Sequence, residues 1–470
     1  MEKTDLTFGL IVGNRNFFPD SLAQKGRERI LQVLEQEGFR VITPSTEDTK
    51  LGTVETWEDA KKCAALFKKH ADEIDGIIVT LPNFGDEKGV ANTIRLSGLC
   101  VPVLVHAFPD DPDHLDLAGR GDAFCGKISV CNNLTQYSIP FSLTQMHTVY
   151  PEEEGFKEDL RWFAQVCQVV KGLKGLKIGA IGARPGAFNT VRFSEKILES
   201  YGVSVETVDL SEIFAQMQKL SPEEAVLKEK LQQLRSYCDV SAVPEEKLKV
   251  MAKFAVVVEN WMRENDLKAT AIQCWTSMEY NLGIAPCAVM SFMGEKLLPS
   301  ACEVDVTGAL SMYILRCASL QPSALVDWNN NFGKDPEKCV IFHCGNYPKA
   351  LFERMEMRYA DVIGATVGEE NAYGSCRGNI KPGPFTFLRL TTDDTNGVLR
   401  AYVGEGEVTK DVAKTFGAWG VVRIQKLQDL LHFICKNGFE HHVAINLSKV
   451  ARAVEEALNN YINVDTYYHC

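Results

Sequence analysis

Short apolar runs that stop at a glycine or a polar turn, each followed by a helix-length stretch, recur through most of this chain. Residues 6–13 form such a run ending in Gly13. Asp20 is positioned to cap a helix reaching Gly38, with Ile30, Leu31, Val33 and Leu34 on or near its buried face. Extended structure resumes at 40–43, a second helix spans 57–74, and 76–81 is a strand. One helix later comes a strand at 101–106, where Pro102 is tolerated because it stands at the strand's start. After a charged, loop-like stretch at 150–157 and one helix, the pattern restarts: strand 177–182, a turn at 182–186, a helix to about Tyr201, strand 204–210. Residues 211–249 are charged and helical, a surface or subunit-contact element. A buried strand is expected at 269–275, a helix from Asp305 to about Ala318, and a short strand at 340–343. Strands alternating with helices form parallel sheets covered on both faces.

From about Lys381 the texture changes. Residues 384–391, 397–403 and 419–424 read as strands separated by glycine and acidic turns, followed by helices near 425–436 and 447–461. The expected fold class is therefore α/β: two doubly wound α/β domains, 1–172 and 173–350, then a C-terminal domain, 351–470, richer in antiparallel strand. At 470 residues the length suits about three domains.

Net charge is −12, which disfavours nucleic acid and anionic membrane as partners while leaving room for a local basic pocket. No apolar run reaches the roughly 18 residues of a membrane helix. The acidic start Met1-Glu2-Lys3-Thr4-Asp5 is unlike a secretory signal. The fifteen cysteines are odd in number, form no CxxC pair, and in several cases sit in apolar stretches. They read as small buried hydrophobes in a reducing cytoplasm.

Two acids and a histidine pair carry metal chemistry by type. Glu279 and Asp305 stand near strand ends, where α/β sheets build their sites, and a His-His pair, His441-His442, lies near the C-terminus. Two carboxylates and an imidazole suit an open divalent site, the imidazole pulling the preference toward Mn²⁺ or Co²⁺. The structural alternative is that acids at strand ends cap the helices that follow. Glu303 competes with Asp305, because an extended segment would put both on one face. His343 follows the apolar run 340–342 and equally suits a satisfied core histidine. Gly9 and Gly13 do not fit GxGxxG, and no GxxxxGK[ST] occurs, so dinucleotide and P-loop roles are rejected.

The segments Ala301-Cys302-Glu303-Val304-Asp305-Val306-Thr307-Gly308-Ala309, His343-Cys344-Gly345-Asn346 and His441-His442-Val443-Ala444 together resemble the L-fucose isomerase/L-arabinose isomerase superfamily. Gly13-Asn14-Arg15-Asn16-Phe17-Phe18-Pro19 and Ala123-Phe124-Cys125-Gly126-Lys127-Ile128-Ser129 are looser matches. The resemblance runs over most of the chain in matching order. It implies a Mn²⁺-type ion, with Co²⁺ and Mg²⁺ as neighbouring choices, held by Glu279, Asp305 and His442, with His441 as the other register. His343 loosely matches a further histidine of the arabinose branch. The resemblance also implies a homo-oligomer, a trimer or hexamer, with sites formed between subunits, and a substrate-binding arginine near Arg15. Lys127, Arg184 and Trp275 are further candidates for the substrate, the tryptophan by stacking on a sugar face.

What the resemblance implies chemically is an aldose–ketose isomerase. The metal polarises the C1 carbonyl, one carboxylate removes the C2 proton to give a cis-enediol, and a proton returns at C1, with Glu279 and Asp305 as base and acid. A fucose- or arabinose-type monosaccharide is the first expectation. Sulfoquinovose, isomerised to 6-deoxy-6-sulfofructose, is the second, with Arg15, Lys127 and Arg184 available to a sulfonate. The reading from a different class is a non-catalytic sugar-binding protein.

Overall fold

The computed structural model describes residues 6–470; the reading of the first five residues as unlike a signal lies outside them. The chain divides into two compact units, one running to Lys171 with 456–463 added, the other comprising 172–455 and 464–470.

The first unit is built on five parallel strands: β1 (Thr7–Val12), β2 (Arg40–Ile42), β3 (Gly76–Leu81), β4 (Val103–Ala107) and β5 (Ser142–Leu143), in the order β2-β1-β3-β4-β5. That is a doubly wound order, reversing direction between β1 and β3. Alternation along the strands sorts the side chains to two faces. Phe8, Leu10, Val12, Ile78 and Leu104 pack with Ile30, Val33, Leu34, Phe156, Leu160 and Phe163 from the helices Asp20–Gln36 and Glu154–Leu173. Ile11, Ile77, Val79 and Val105 pack with Phe67, Val90, Ile94 and Val130 from three other helices, Trp57–Lys69, Glu87–Ser97 and Ala123–Gln136. Each such fully buried aliphatic or aromatic side chain is worth about 1.5–3 kcal/mol.

Local details depart from expectation. Asp20 is the first helical residue rather than the cap; Pro19 holds the cap position, and the Asp20 carboxylate instead accepts from Asn14 Nδ2 and pairs with Lys50. The second helix is opened by a Thr56/Asp59 capping box but stops at Lys69, short of 74. Helix Glu154–Leu173 begins inside the charged stretch read as a loop.

The second unit starts with four parallel strands, β6 (Leu176–Ile181), β7 (Val203–Val208), β8 (Ala269–Ile272) and β9 (Ser300–Cys302), in the order β7-β6-β8-β9. It repeats the reversal of the first sheet, here between β6 and β8. After β6 the chain does not go straight into a helix: Pro185 and Gly186 lead an irregular stretch, and only Glu195–Ser200, capped by Ser194, is α-helical.

Nine further strands follow: β10 (Ala324–Asn331), β11 (Lys338–His343), β12 (Glu356–Tyr359), β13 (Tyr373–Asn379), β14 (Gly383–Asp393), β15 (Val398–Val408), β16 (Ala418–Arg423), β17 (His442–Asn446) and β18 (Asp465–His469). Six of them, β16-β11-β10-β17-β14-β15, pair antiparallel in succession, and β15 pairs back onto β16, closing a ring. β13 and β18 add to the ring in parallel, at β16 and β15. This barrel takes β10 and β11 from before residue 350. Helix Val306–Ser319, buried nearly all round, packs against both the four-stranded sheet and strands β14 and β17. A helix apolar on all sides belongs in a core, and this one fixes the sheet's strand ends against the barrel.

Candidate functional site

The carboxyl ends of β8 and β9 and three barrel strands supply the site. Glu279 lies in the first turn of helix Ser277–Leu282, after β8. Glu303 directly follows β9. His343 ends β11, His442 opens β17, and Asp327 of β10 stands directly opposite His442 in the ladder.

Between β9 and the buried helix the backbone turns through two consecutive left-handed residues, Glu303 (φ 58°) and Val304 (φ 57°). For a β-branched valine this is costly, of order 1–3 kcal/mol, and such strain concentrates at functional positions. The turn separates the roles of Glu303 and Asp305.

Asp305 caps helix Val306–Ser319. Its Oδ1 accepts from the Gly308 N–H at 2.8 Å, from Thr307 Oγ1 and from Arg389 Nη2; its Oδ2 accepts from Arg389 Nη1 at 2.6 Å and from His442 Nδ1 at 2.8 Å. Arg389, fully buried in the middle of β14, also donates to Glu440 and Thr307, and Glu440 accepts from Thr391. Burial alone would raise the Asp305 pKa, but the Arg389 charge and the His442 hydrogen bond outweigh it and hold the carboxyl well below the usual range. Asp305 is thus an ionised, fully engaged carboxylate.

Glu303 is the opposite case. Its Oε2 lies 3.0 Å from His442 Nε2 and 3.9 Å from His343 Nε2, yet neither approach has hydrogen-bond geometry. Asp327 Oδ1, 3.4 Å from His442 Nε2 and 3.6 Å from His441 Nε2, is likewise without a hydrogen-bond partner. Potential ligand atoms gather within 4.8 Å of one another in two groups that share His442: Glu303, His343 and His442, and Asp327, His441 and His442. Burial tends to lower the His442 pKa, but hydrogen bonding to Asp305 and the adjacent Glu303 carry it up to about 10. Glu303 itself stays below its ordinary value, because both histidines outweigh its burial.

Glu279 is in neither group. It is buried, both its oxygens lack hydrogen-bond partners, and burial pushes its pKa up to about 7. Asn346 and Tyr347, just after His343, also bury polar atoms without partners. Buried polar groups are nearly always hydrogen-bonded, so this concentration marks a place built to receive polar atoms from elsewhere.

An aromatic wall adjoins the histidines. Phe188 stands 5.4 Å from Trp275, 5.4 Å edge-on from His441 and 5.8 Å from His442. Arg184 donates to the Pro185 carbonyl and lines a cleft of 680 Å³ with Arg192, Thr391, Arg400 and Glu440. Arg15 and Lys127 belong to the first unit. There Arg15 pairs with Glu87 and lies over the Phe84 ring, while the buried Lys127 donates to Thr144 Oγ1 and the His147 carbonyl, and burial lowers its pKa to about 8.

Asp327, Phe188, Arg389 and Glu440 were not singled out from sequence. A signal existed for two of them: Asp327 and Arg389 each interrupt an apolar run, Leu325-Val326-Asp327 and Phe387-Leu388-Arg389-Leu390, and a charge in such a run needs a buried partner.

Both ends of the chain match models of known families. Residues 9–174 match the fucose/sulfoquinovose isomerase N-terminal domain, and residues 341–469 match the L-fucose isomerase C-terminal domain. Sulfoquinovose isomerases from Priestia aryabhattai and Priestia megaterium (strain ATCC 12872 / QMB1551) are each 25% identical over 456 residues, 96% of this chain and 96% of theirs. The sulfoquinovose isomerase of Alkalicoccus urumqiensis is 28% identical over 363 residues, 76% of this chain and 78% of its own. Among the described residues no helix is long and apolar enough to cross a membrane. The chain belongs to the L-fucose isomerase superfamily and is an aldose–ketose isomerase of that superfamily.

Proposed function

We propose that this isomerase converts sulfoquinovose, an aldose sulfonated at C6, into 6-deoxy-6-sulfofructose. The observation that carries the substrate class is the end-to-end match to relatives named sulfoquinovose isomerase. It favours the sulfosugar over the fucose- or arabinose-type sugar that resemblance first suggested.

The donor set fits a divalent ion of the Mn²⁺ type, Co²⁺ and Mg²⁺ being the neighbouring choices: buried carboxylate oxygens of Glu303 and Asp327 without hydrogen-bond partners, gathered around His442 Nε2. When bound, such an ion supplies a Lewis acid that polarises the sugar carbonyl and stabilises enediolate charge. In this reading Glu303 takes the ligand place first given to Asp305. Asp305 accepts from His442 Nδ1, which leaves Nε2 as the ligating nitrogen and fixes the ring's orientation. Asp305 has no proton to give and no oxygen free to take one, so it is not the acid.

Glu279 is the proton carrier. A carboxyl poised near 7 is matched to taking the C2 proton and returning it at C1 at neutral pH. Trp275 and Phe188 offer the apolar side of the site to a sugar face, and Arg184, in a cleft it shares with Arg192 and Arg400, is a cation of the same unit for the sulfonate.

The test is isotope exchange. Metal-stripped protein is incubated in D₂O with sulfoquinovose, L-fucose or L-arabinose, with and without Mn²⁺, and followed by NMR. Mn²⁺-dependent deuterium entry with ketose formation, fastest from sulfoquinovose, is the expected outcome. Turnover of L-fucose or L-arabinose alone overturns the substrate, and no ketose from any of them with metal bound overturns the isomerase reading for this panel.

A further inference from the structure

His343 and His442 stand with ring centroids 5.5 Å apart, and both turn Nε2 toward the same carboxylate oxygen of Glu303. By distance alone either could ligate a cation. Their other nitrogens separate them. His442 Nδ1 meets Asp305 Oδ2, which also accepts from Arg389, so Nδ1 bears a hydrogen and Nε2, facing Glu303, is the nitrogen at which a cation would take the place of a proton. His343 Nδ1 receives the backbone N–H of Cys344 at 2.9 Å, and a backbone amide can only donate. Nδ1 of His343 therefore carries no hydrogen, and in the neutral ring the hydrogen is on Nε2.

A ring nitrogen that bears a hydrogen is not a metal ligand. At 3.9 Å the Glu303 oxygen is also too far to accept from it. The result is a buried N–H donor without an acceptor, in a side chain only 3% exposed. Leaving such a donor unpaired is unfavourable, and it is tolerated where a ligand brings the acceptor. The turn that orients the ring is tied down: Ser375 Oγ donates to the Cys344 carbonyl, and the Cys376 N–H donates to the Gly345 carbonyl.

We infer that His343 is not a metal ligand but the hydrogen-bond donor of the site, its Nε2–H directed to an oxygen of the sugar beside Glu303. This rests on the metal-dependent isomerase reading above and adds a substrate-contacting residue to it. Sugar hydroxyl, carbonyl and enediolate oxygens all accept, and the bond strengthens as charge grows on the oxygen.

The experiment uses two variants and one measurement on the unaltered protein. His343→Asn keeps an acceptor near the Nδ1 position but removes the Nε2 donor; His343→Gln restores an N–H near the Nε2 position. Mn²⁺ affinity is measured by calorimetry on metal-stripped protein, and kcat/KM with the sugar that proves to be the substrate. Expected are Mn²⁺ affinities within about threefold of the unaltered protein, kcat/KM lower by about tenfold to a hundredfold in His343→Asn, and partial recovery in His343→Gln. A loss of Mn²⁺ affinity of tenfold or more in folded His343→Asn overturns the inference, and so does unchanged turnover. Separately, long-range ¹H–¹⁵N spectra of ¹⁵N-histidine-labelled protein loaded with Mg²⁺ report the ring tautomer. A hydrogen on Nε2 of His343 supports the assignment even if no sugar is turned over or a variant fails to fold; a hydrogen on Nδ1 overturns it.

Discussion

Glu303 and Asp305 differ in what they already hold. Asp305 accepts five hydrogen bonds, whereas Glu303 Oε2 has none. Replacing each should therefore fail differently. Glu303→Gln is expected to lose Mn²⁺ binding in calorimetry while the metal-free protein melts within a few degrees of the original. Asp305→Asn still caps the helix but breaks a buried ion pair with Arg389, which costs about 3–5 kcal/mol, and weakens Mn²⁺ by about 10–100-fold through loss of the His442 partner. The reverse pattern would return the ligand place to Asp305. Residue pattern alone did not separate these two acids, because an extended segment would put both on one face, and the resemblance gave the ligand place to Asp305; the left-handed turn at Glu303 and Val304 is invisible in residue types that ordinarily avoid it. Glu279 was singled out because it follows a strand, but its isolation from the histidines could not be read from the sequence. Its carboxyl is raised by burial to about 7 from an ordinary 4.5. The sign follows: stability from the protonated form is fully present below about 4.5 and is lost as pH rises through 7, amounting to roughly 3 kcal/mol. Metal-stripped Glu279→Gln should thus melt higher than the unaltered protein at pH 8, with little difference at pH 4.5, and should show no turnover. Equal melting at both values would mean the carboxyl is not held near 7.

At the scale of elements, the histidine-bearing turn after β11 depends on close backbone contact. Gly345 has φ 136°, and a Cβ there would lie 2.3 Å from Ser375 Oγ and 2.5 Å from the Cys376 carbonyl oxygen. Gly345→Ala must push the turn off β13. Expected are a loss of stability of a few kcal/mol and a fall in kcat larger than any change in Mn²⁺ affinity, because the turn aims His343 while His442 sits on a different strand. Wild-type kcat in that variant would show that the turn does not position the ring. The elements that sequence made plain share one property, a mainly apolar run bounded by turn residues, as in β3 and β6. β10 was missed because its apolar run Ala324-Leu325-Val326 is cut short by Asp327 and, after Trp328, by the polar Asn329-Asn330-Asn331; its place is set by pairing with β11 and β17, not by its own pattern. The helix expected after β6 shrank to one short piece because Pro185 and Gly186 break the turn and Ser194 starts the helix late. That irregular stretch is what carries Phe188 to the histidines.

At the scale of the whole molecule, the proposed ligand atoms come from segments that only the fold brings together: Glu303 at the end of a parallel sheet, Asp327 and His442 from neighbouring barrel strands. An ion held by them ties the four-stranded sheet to the barrel. Binding to the native state alone stabilises by about 2.7 kcal/mol when the ion is at 100 times its Kd, and the gain belongs to the segments it joins. Hydrogen exchange read by mass spectrometry should therefore show Mn²⁺ slowing exchange in β10, β17 and the residues after β9. Peptides from β1 and β3, in the unit that contains none of these donors, should keep their metal-free rates. The buried helix Val306–Ser319 should follow the second unit, since Asp305 caps it and orients His442 at once. Protection confined to the first unit, or slowing around Glu279 with none at β17, would mean that the ion binds elsewhere and that the gathered donors around His442 serve another cation or none.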